Sequence, residues 1–148
     1  MFTSRQLLVL FSSALCLAGL PVTSHGATID LDRLIRCLEA REGARWASPG
    51  GALQFTKATW SEFSSDPYLR ASQPDKARQI ARKALFLTIQ RMERDGIRPT
   101  VWLLALRWNC GYEGMKRRMG EPWSYAAHVH NLYYDNDFRL TCLCFLRP

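Results

Sequence analysis

Hydrophobic residues in the central part of the chain recur every three to four positions, which is the spacing of an amphipathic α-helix. Within residues 29–42, the positions that share one helix face are Leu31, Leu34, Ile35 and Leu38. A second face, in a helix that Gly96 ends, consists of Ala77, Ile80, Ala81, Ala84, Leu85, Thr88 and Met92. No segment shows the alternation of apolar and polar residues that is typical of a half-buried strand, so the pattern predicts an all-α domain.

Three further segments complete the predicted set of helices. Residues 56–64 fit a short helix, and a longer helix opens at Pro99 and is apolar on almost every side until the stretch ALRWNCG ends it. A helix of that kind normally lies at the centre of a domain. The last helix, residues 122–135, carries Tyr125, Val129, Leu132 and Tyr133. The side chains expected to be buried in the core include Ile35, Leu38, Trp102 and Leu106.

Between the second and third predicted helices, the stretch SSDPYLRASQP is predicted to be a loop. At its end, Ser72 and Asp75 have the spacing of a capping box, in which two side chains satisfy free backbone groups at a helix start. Pro74 suits the first turn of the same helix, where no backbone N–H is needed.

The first residues of the chain do not fit the helical domain. Arg5 precedes the apolar run LLVLFSSALCLAGL, which is followed by Pro21 and small residues. This run is shorter than the roughly 20 residues that a membrane span needs, and it has the organisation of a secretory signal peptide. We therefore expect residues 1–27 to direct export to the periplasm or the exterior. Residues 28–148 are then one domain, and the apolar stretch 140–148 at its end has no role that the pattern indicates.

The charge of the chain favours an anionic partner. It contains 20 Lys and Arg against 13 Asp and Glu, a formal net charge of +7, and the signal segment accounts for a single arginine. The basic residues are scattered along the helices instead of forming a block interleaved with aromatics, and export also argues against nucleic acid. A cell-wall polymer or a membrane surface is the expected anion, with an unspecific basic surface as the alternative. The sequence carries no information on oligomeric state.

Four cysteines remain after the signal segment: Cys37, Cys110, Cys142 and Cys144. In an oxidising compartment they permit disulfides, with three possible connectivities. We expect Cys37 and Cys110 to approach each other, because both lie on helices that flank the candidate site described next; the alternative is two buried thiols. Cys142 and Cys144 are too close together for the usual metal-binding clip and no histidine lies nearby, so no metal is expected.

A carboxylate lies at the end of the first apolar helix face. At about 100° per residue, Glu42 lies within roughly 30° of the centre of that face, whereas Glu39 lies roughly 90° away. Burial and the negative end of the helix, which Gly43 terminates, both disfavour the charged form of an inward-facing carboxylate. These are the conditions for an acid that donates a proton near neutral pH. The alternative is a solvent-facing glutamate, or one paired with Arg41 or Arg45.

Amide and aromatic side chains follow at two places. The stretch SPGGALQFTKATW contains a Pro-Gly-Gly turn, which lets the backbone pass close to another group, and it then presents Gln54. The stretch ALRWNCG sets Trp108 and Asn109 together. Amides bond to the hydroxyl and N-acetyl groups of sugars, and aromatic faces pack on sugar rings. The residues therefore indicate a saccharide-binding groove.

The stretches LIRCLEAREG, GGALQFTKATW, ALRWNCGYEGM and YAAHVHNLY, taken in this order, resemble the lysozyme-like domain of soluble lytic transglycosylases. The resemblance covers nearly all of residues 28–148 and implies a single compact lysozyme-like domain. It implies that Glu42 is the catalytic acid, that Gln54 is the groove amide, and that Trp108 and Asn109 bind sugar. Tyr125 corresponds to the tyrosine of the last helix that lies near the glutamate. The resemblance also implies that no cofactor is needed.

Peptidoglycan cleavage between N-acetylmuramic acid and N-acetylglucosamine is the activity that this resemblance implies. Glycosidic cleavage commonly needs a second carboxylate, but neither Asp66 nor Glu113 lies on a pattern that would direct it toward Glu42. One carboxylate would then act twice, as it does in lytic transglycosylases; attack by water would make the protein a lysozyme. The alternatives are a non-catalytic peptidoglycan-binding module and a cationic membrane-active protein, and the choice between Glu42 and Glu39 stays open.

Overall fold

The protein is described here by a computed structural model that covers residues 28–43 and 45–135. Its α-helices are α1 (Leu31–Glu42), α2 (Lys57–Phe63), α3 (Pro74–Arg94), α4 (Val101–Arg117) and α5 (Ser124–Tyr134), with a short 3₁₀-helix at Tyr68–Ser72. The described residues contain no β-strand, so the predicted all-α class is confirmed for them. The predicted signal peptide, residues 1–27, and the apolar C-terminal stretch lie outside the described residues. None of the helices in the described part is long and apolar enough to cross a membrane.

Side-chain caps explain where three of the helices begin. The carboxylate of Asp30 accepts a hydrogen bond from the backbone N–H of Arg33, which satisfies one of the free donors at the start of α1. Thr56 caps α2 in the same way, and Thr100 caps α4. Each cap places the helix start within two residues of the position that the apolar pattern predicts.

The segment before α3 differs from the predicted loop and capping box. Residues Tyr68–Ser72 form the 3₁₀-helix, and the Ser72 hydroxyl donates to the carbonyl of Leu69 at 2.8 Å. The residue before α3 is Gln73, whose side chain makes no capping bond. The capping-box prediction was wrong because the short helix uses the Ser72 hydroxyl for its own last turn. Pro74 lies in the first turn of α3, as predicted.

The core forms between the apolar faces of the helices. All seven positions of the predicted α3 face are buried, as are Leu34, Ile35 and Leu38 of α1. Helix α5 packs against both α1 and α4, and its Tyr125, Val129 and Tyr133 are buried while Leu132 is partly buried. The Tyr133 hydroxyl accepts a hydrogen bond from the backbone N–H of Asp30 at 2.8 Å, which ties the end of α5 to the start of α1.

Helix α4 is central but does not end at ALRWNCG. It continues to Arg117 across a kink at Gly111, where the backbone has φ 74° and ψ 172°. Glycine tolerates this positive φ, so the chain bends and then returns Tyr112 and Met115 to the core. Leu106 is fully buried, as predicted. Trp102 is only partly buried, because it lies at the edge of the core, where its ring meets His130 of α5.

The predicted disulfide between Cys37 and Cys110 is not formed. Cys110 is a free thiol that donates to the carbonyl of Leu106, one turn earlier in α4, at 3.0 Å. Its sulfur therefore turns back along its own helix, whereas Cys37 is buried in α1. Cys142 and Cys144 lie outside the described residues.

The Pro-Gly-Gly turn brings the backbone close to another part of the protein itself. Gly51 has a φ of 64°, and a Cβ added there would lie 2.1 Å from the carbonyl oxygen of Ala71. A Cβ at Gly50 would lie 2.6 Å from the carbonyl oxygen of Phe55. The two glycines therefore let the chain fold tightly against the 3₁₀-helix, and this turn sets the position of Gln54.

We expect Leu106→Ala to lower the free energy of unfolding by about 2–5 kcal/mol, because it leaves a cavity at the centre of the core. Leu69→Ala is the matched control, since 79% of the Leu69 side chain is exposed and its loss should change stability by no more than about 0.5 kcal/mol. Urea denaturation of both variants measures the difference. Equal effects would contradict the central position of α4.

We expect Gly51→Ala to destabilise the protein more than Gly96→Ala. Both glycines have positive φ, but a Cβ at Gly96 would meet no atom within 4 Å. Gly96→Ala should therefore cost only the roughly 1–2 kcal/mol of a left-handed alanine, whereas Gly51→Ala adds a clash with backbone. Urea denaturation again gives the comparison, and equal losses would argue against the close approach to Ala71.

Candidate functional site

A cleft of about 270 Å³ lies where the end of α1, the loop before α2 and the middle of α4 meet. Four of the five predicted site residues line it: Glu42, Gln54, Trp108 and Asn109. The fifth, Tyr125, contacts Glu42 directly. Residues that are far apart in the sequence therefore meet as the motif order predicts.

Glu42 is the last residue of α1, and the chain turns away immediately after it. Gly43 adopts a left-handed conformation with φ 80°, and its backbone N–H bonds to the carbonyls of Ala40 and Glu39. The Glu42 side chain is half-buried, so it is less enclosed than the helix projection predicts. Of the described residues that line the cleft, Glu42 alone carries a carboxylate.

Tyr125 holds one oxygen of the Glu42 carboxylate. Its hydroxyl donates to Oε1 of Glu42 at 2.7 Å, and its ring lies under the guanidinium of Arg41 at 5.2 Å from the centroid. Burial raises the pKa of Tyr125 well above its usual value, and the hydrogen bond and negative charge of Glu42 raise that pKa further. Tyr125 therefore keeps its proton at neutral pH and remains a donor to Glu42.

Glu39 is the more buried of the two glutamates, contrary to the helix projection. Only 8% of the surface of Glu39 is exposed. Arg78 of α3 covers it through two hydrogen bonds, from Nε to Oε1 at 2.7 Å and from Nη2 to Oε2 at 3.1 Å. The projection missed this because it considered α1 alone. Both oxygens of Glu39 are occupied, so its carboxylate fastens α1 to α3, and Glu39 is not among the residues that line the cleft.

Trp108 connects α4 to the loop before α2. Its indole N–H donates to the carbonyl of Leu53 at 3.3 Å, and its ring meets the ring of Phe55 edge to face, with the centroids 5.3 Å apart. Phe55 in turn makes a similar contact with the fully buried Trp60. This chain of aromatic contacts fixes the wall of the cleft opposite α1.

The two amide side chains are oriented by local hydrogen bonds. The Gln54 amide nitrogen donates to the Gly51 carbonyl at 2.8 Å and to the Ser48 hydroxyl at 3.1 Å. Gln54 itself has a φ of 50°, which is unusual for a residue other than glycine. The Asn109 carbonyl oxygen accepts from the indole N–H of Trp123 at 3.0 Å. The carbonyl oxygen of Gln54 and the amide N–H₂ group of Asn109 have no hydrogen-bond partner among the described residues.

Three polar residues of the cleft were not predicted from the sequence pattern. Arg107 lines it from α4, and Thr56 and Thr59 line it from the start of α2, with their hydroxyls 2.9 Å apart. Arg107 carries the only charge within the stretch VWLLALRW. A lone charge in a helix predicted to be central was the signal that would have singled it out.

The other carboxylates considered for the chemistry are engaged elsewhere. Asp66 forms an ion pair with Lys76 at 2.6 Å, and Glu113 pairs with Arg91 at 3.2 Å. Neither lines the cleft. Within residues 28–43 and 45–135, no group of three His, Cys, Asp or Glu side chains is arranged to hold a metal ion.

Comparison of the chain with known protein families, with curated proteins and with solved structures finds no match. The resemblance to lytic transglycosylases therefore stays a prediction.

We expect the stability of the protein to fall as the pH rises above about 10, with part of that fall due to Tyr125. The unfolded chain releases the tyrosine proton near the ordinary pKa of 10.0, whereas the folded chain holds it to higher pH. The contribution of Tyr125 to the free energy of unfolding is therefore fully present below pH 10 and is lost progressively as the pH rises above 10. Denaturant unfolding between pH 8 and 11.5 should show a shallower fall for Tyr125→Phe. Tyr134→Phe, at an exposed position of the same helix, should keep the wild-type slope; identical slopes for all three proteins would contradict the buried hydrogen bond.

Proposed function

We propose that this protein cleaves the glycan strand of peptidoglycan between N-acetylmuramic acid and N-acetylglucosamine, with Glu42 as the catalytic acid. The observation that carries the proposal is the placement of one carboxylate in a cleft whose other described lining side chains are amide, hydroxyl, aromatic and basic, with Leu53 as the one aliphatic residue. Tyr125 donates to one oxygen of that carboxylate at 2.7 Å. The other oxygen has no hydrogen-bond partner among the described residues.

The two oxygens of Glu42 would have different roles in this reaction. Oε1 accepts the hydrogen bond from Tyr125, which fixes the direction of the carboxyl group. Oε2 would carry the proton and pass it to the glycosidic oxygen as the C1–O bond breaks, which leaves an oxocarbenium-like carbon. The leaving sugar then departs with a free hydroxyl, and Glu42 becomes a carboxylate.

A second step must quench the carbon at C1, and the cleft offers no second carboxylate among its described residues. Glu42, now a base, would take the proton of the muramic C6 hydroxyl while that oxygen bonds to C1. The product has a 1,6-anhydro end, and Glu42 regains its proton. If water attacks instead, the product has an ordinary reducing end and the protein acts as a lysozyme.

The remaining cleft residues are suited to hold the sugar. The carbonyl oxygen of Gln54 would accept from an N-acetyl N–H or a hydroxyl, and Asn109 would donate from its amide nitrogen. Trp108 lines the cleft in a half-buried position and would provide an aromatic surface for a sugar ring. The net charge of +7 suits the anionic wall polymer and would favour its approach.

A non-catalytic glycan-binding module is the alternative, and the single carboxylate of the cleft favours it. Glycosidic cleavage commonly uses two carboxylates, and among the described residues that line the cleft only Glu42 carries one. Such a module would use the same amides and the same Trp108 to bind glycan strands without cleaving them.

Glu42→Gln separates the two functions. It preserves the shape of the side chain and removes the transferable proton, so release of soluble fragments from purified peptidoglycan should fall by at least about 100-fold. Binding to insoluble peptidoglycan and the melting temperature should both hold. Mass analysis of wild-type digests identifies the outcome: anhydro ends indicate a lytic transglycosylase, reducing ends a lysozyme, and binding without products the module.

Glu39→Gln is the matched control in the same helix. Because it breaks the ion pair with Arg78, it should lower the melting temperature while the folded protein keeps its activity. Loss of activity in a folded Glu39→Gln variant, with Glu42→Gln fully active, would overturn the assignment of the acid.

A further inference from the structure

Arg107 is the most buried charged residue in the cleft. Only 9% of its surface is exposed, although it lines the cleft from α4 beside Trp108 and Asn109. Its Nε atom is buried and has no hydrogen-bond partner. Its guanidinium lies over the ring of Phe63 at 5.5 Å from the centroid.

Five other arginines among the described residues contact an aromatic ring. Arg33 is as buried as Arg107 and also has a buried Nε without a partner, but its Nη2 donates to the carbonyl of Asp135. Two of the others have a carboxylate partner. Arg78 stacks on Trp46 and has its charge matched by Glu39. Arg91 stacks on Tyr112 and pairs with Glu113. Within the described residues, Arg107 forms no ion pair and no hydrogen bond.

Arginine has five N–H donors, and a buried donor without a partner lowers stability. Burial lowers the pKa of Arg107, and the negative charge of Glu62 raises it again without a direct ion pair. An arginine nevertheless remains charged at neutral pH. Arg107 is therefore a buried positive charge at the wall of a polar cleft, and it has no direct ion-pair partner among the described residues.

Building on the proposed function, we propose that Arg107 is a carboxylate-binding residue of the cleft and recognises an acidic group carried by the glycan. The planar guanidinium matches a carboxylate through two parallel N–H···O bonds, and such charged bonds are the strong ones. In peptidoglycan, that group is either the lactyl carboxylate of a bare muramic acid or a carboxylate of its attached peptide. Arg107 would therefore make the cleft prefer acidic saccharides to neutral ones of the same length.

The preference is measured by the dissociation constants of three soluble ligands, using isothermal titration calorimetry. The ligands are a neutral tetramer of N-acetylglucosamine, a peptide-free tetrasaccharide with lactyl carboxylates, and the same tetrasaccharide with its peptides. All proteins carry Glu42→Gln so that no ligand is consumed. Each is compared with and without Arg107→Met, which keeps the length of the side chain and its contact with Phe63 but removes the charge.

We expect Arg107→Met to weaken binding of an acidic ligand by at least about tenfold, and to leave the neutral tetramer within about twofold. A loss that appears with the peptide-free ligand identifies the lactyl group as the source of the carboxylate. A loss that appears only with the peptide-bearing ligand identifies the peptide. Arg107→Lys keeps the positive charge but cannot form two parallel bonds to a carboxylate. Its dissociation constant for an acidic ligand should therefore lie between those of the protein with intact Arg107 and of Arg107→Met.

Arg91→Met is the matched control, because it removes the same charge and a similar aromatic contact outside the cleft. It should change no dissociation constant by more than about twofold, which is small against the tenfold step of one charged bond. Equal losses for neutral and acidic ligands in Arg107→Met, or none for either, would overturn the inference and leave Arg107 a packing residue. If the protein with intact Arg107 binds none of the three ligands, the proposed function itself fails.

Discussion

The hydrogen bond from Tyr125 to Glu42 connects the two ends of the described domain. It joins residues 83 positions apart, from the first turn of α5 to the last turn of α1. The bond between the backbone of Asp30 and Tyr133 ties the opposite ends of the same two helices. Because α5 also packs on α4, these contacts determine how far the end of α1 lies from the wall that carries Trp108 and Asn109.

Two glutamates one turn apart on α1 have different roles for reasons of geometry. Glu39 faces α3, where Arg78 binds both of its oxygens. Glu42 lies beyond the reach of α3, at the point where Gly43 ends the helix. The first carboxylate is therefore used to join two helices, and the second remains open to the cleft. This division explains how a stretch with two acids places a single carboxylate in the cleft.

Crowding between backbone segments shapes the other wall. Gly51 passes so close to Ala71 that a Cβ does not fit, and the resulting turn orients the amide of Gln54 through its bond to the Gly51 carbonyl. The aromatic contacts of Phe55 with Trp60 and Trp108 then hold this loop against α4. The buried charge of Arg107 lies in this packed region, where a second charge placed beside it would interact with it more strongly than at the surface.

The sequence by itself determined the helices and most of the core, because periodic burial and capping are local properties that neighbouring residues decide. The face of α3 is buried at every position predicted, and the caps at Asp30, Thr56 and Thr100 place the helix starts. The order of the motifs also predicted that Glu42 and Asn109 belong to one site, and both line the cleft. The hydrogen-bond and ion-pair partners of each polar side chain were decided only by the tertiary structure.

Long-range partners account for the differences between prediction and structure. Glu39 became buried because Arg78, 39 residues away, covers it, whereas Glu42, which the projection turned into the core, is only half-buried. Helix α4 continues past Gly111 and returns Tyr112 and Met115 to the core, and Trp102 is partly exposed where its ring meets His130 of α5. The sequence did not indicate that Arg107 lines the cleft, because the cleft forms only where the end of α1, the loop before α2 and the middle of α4 meet. A single helix projection contains no information on the elements packed against it, so those contacts were decided by the fold as a whole.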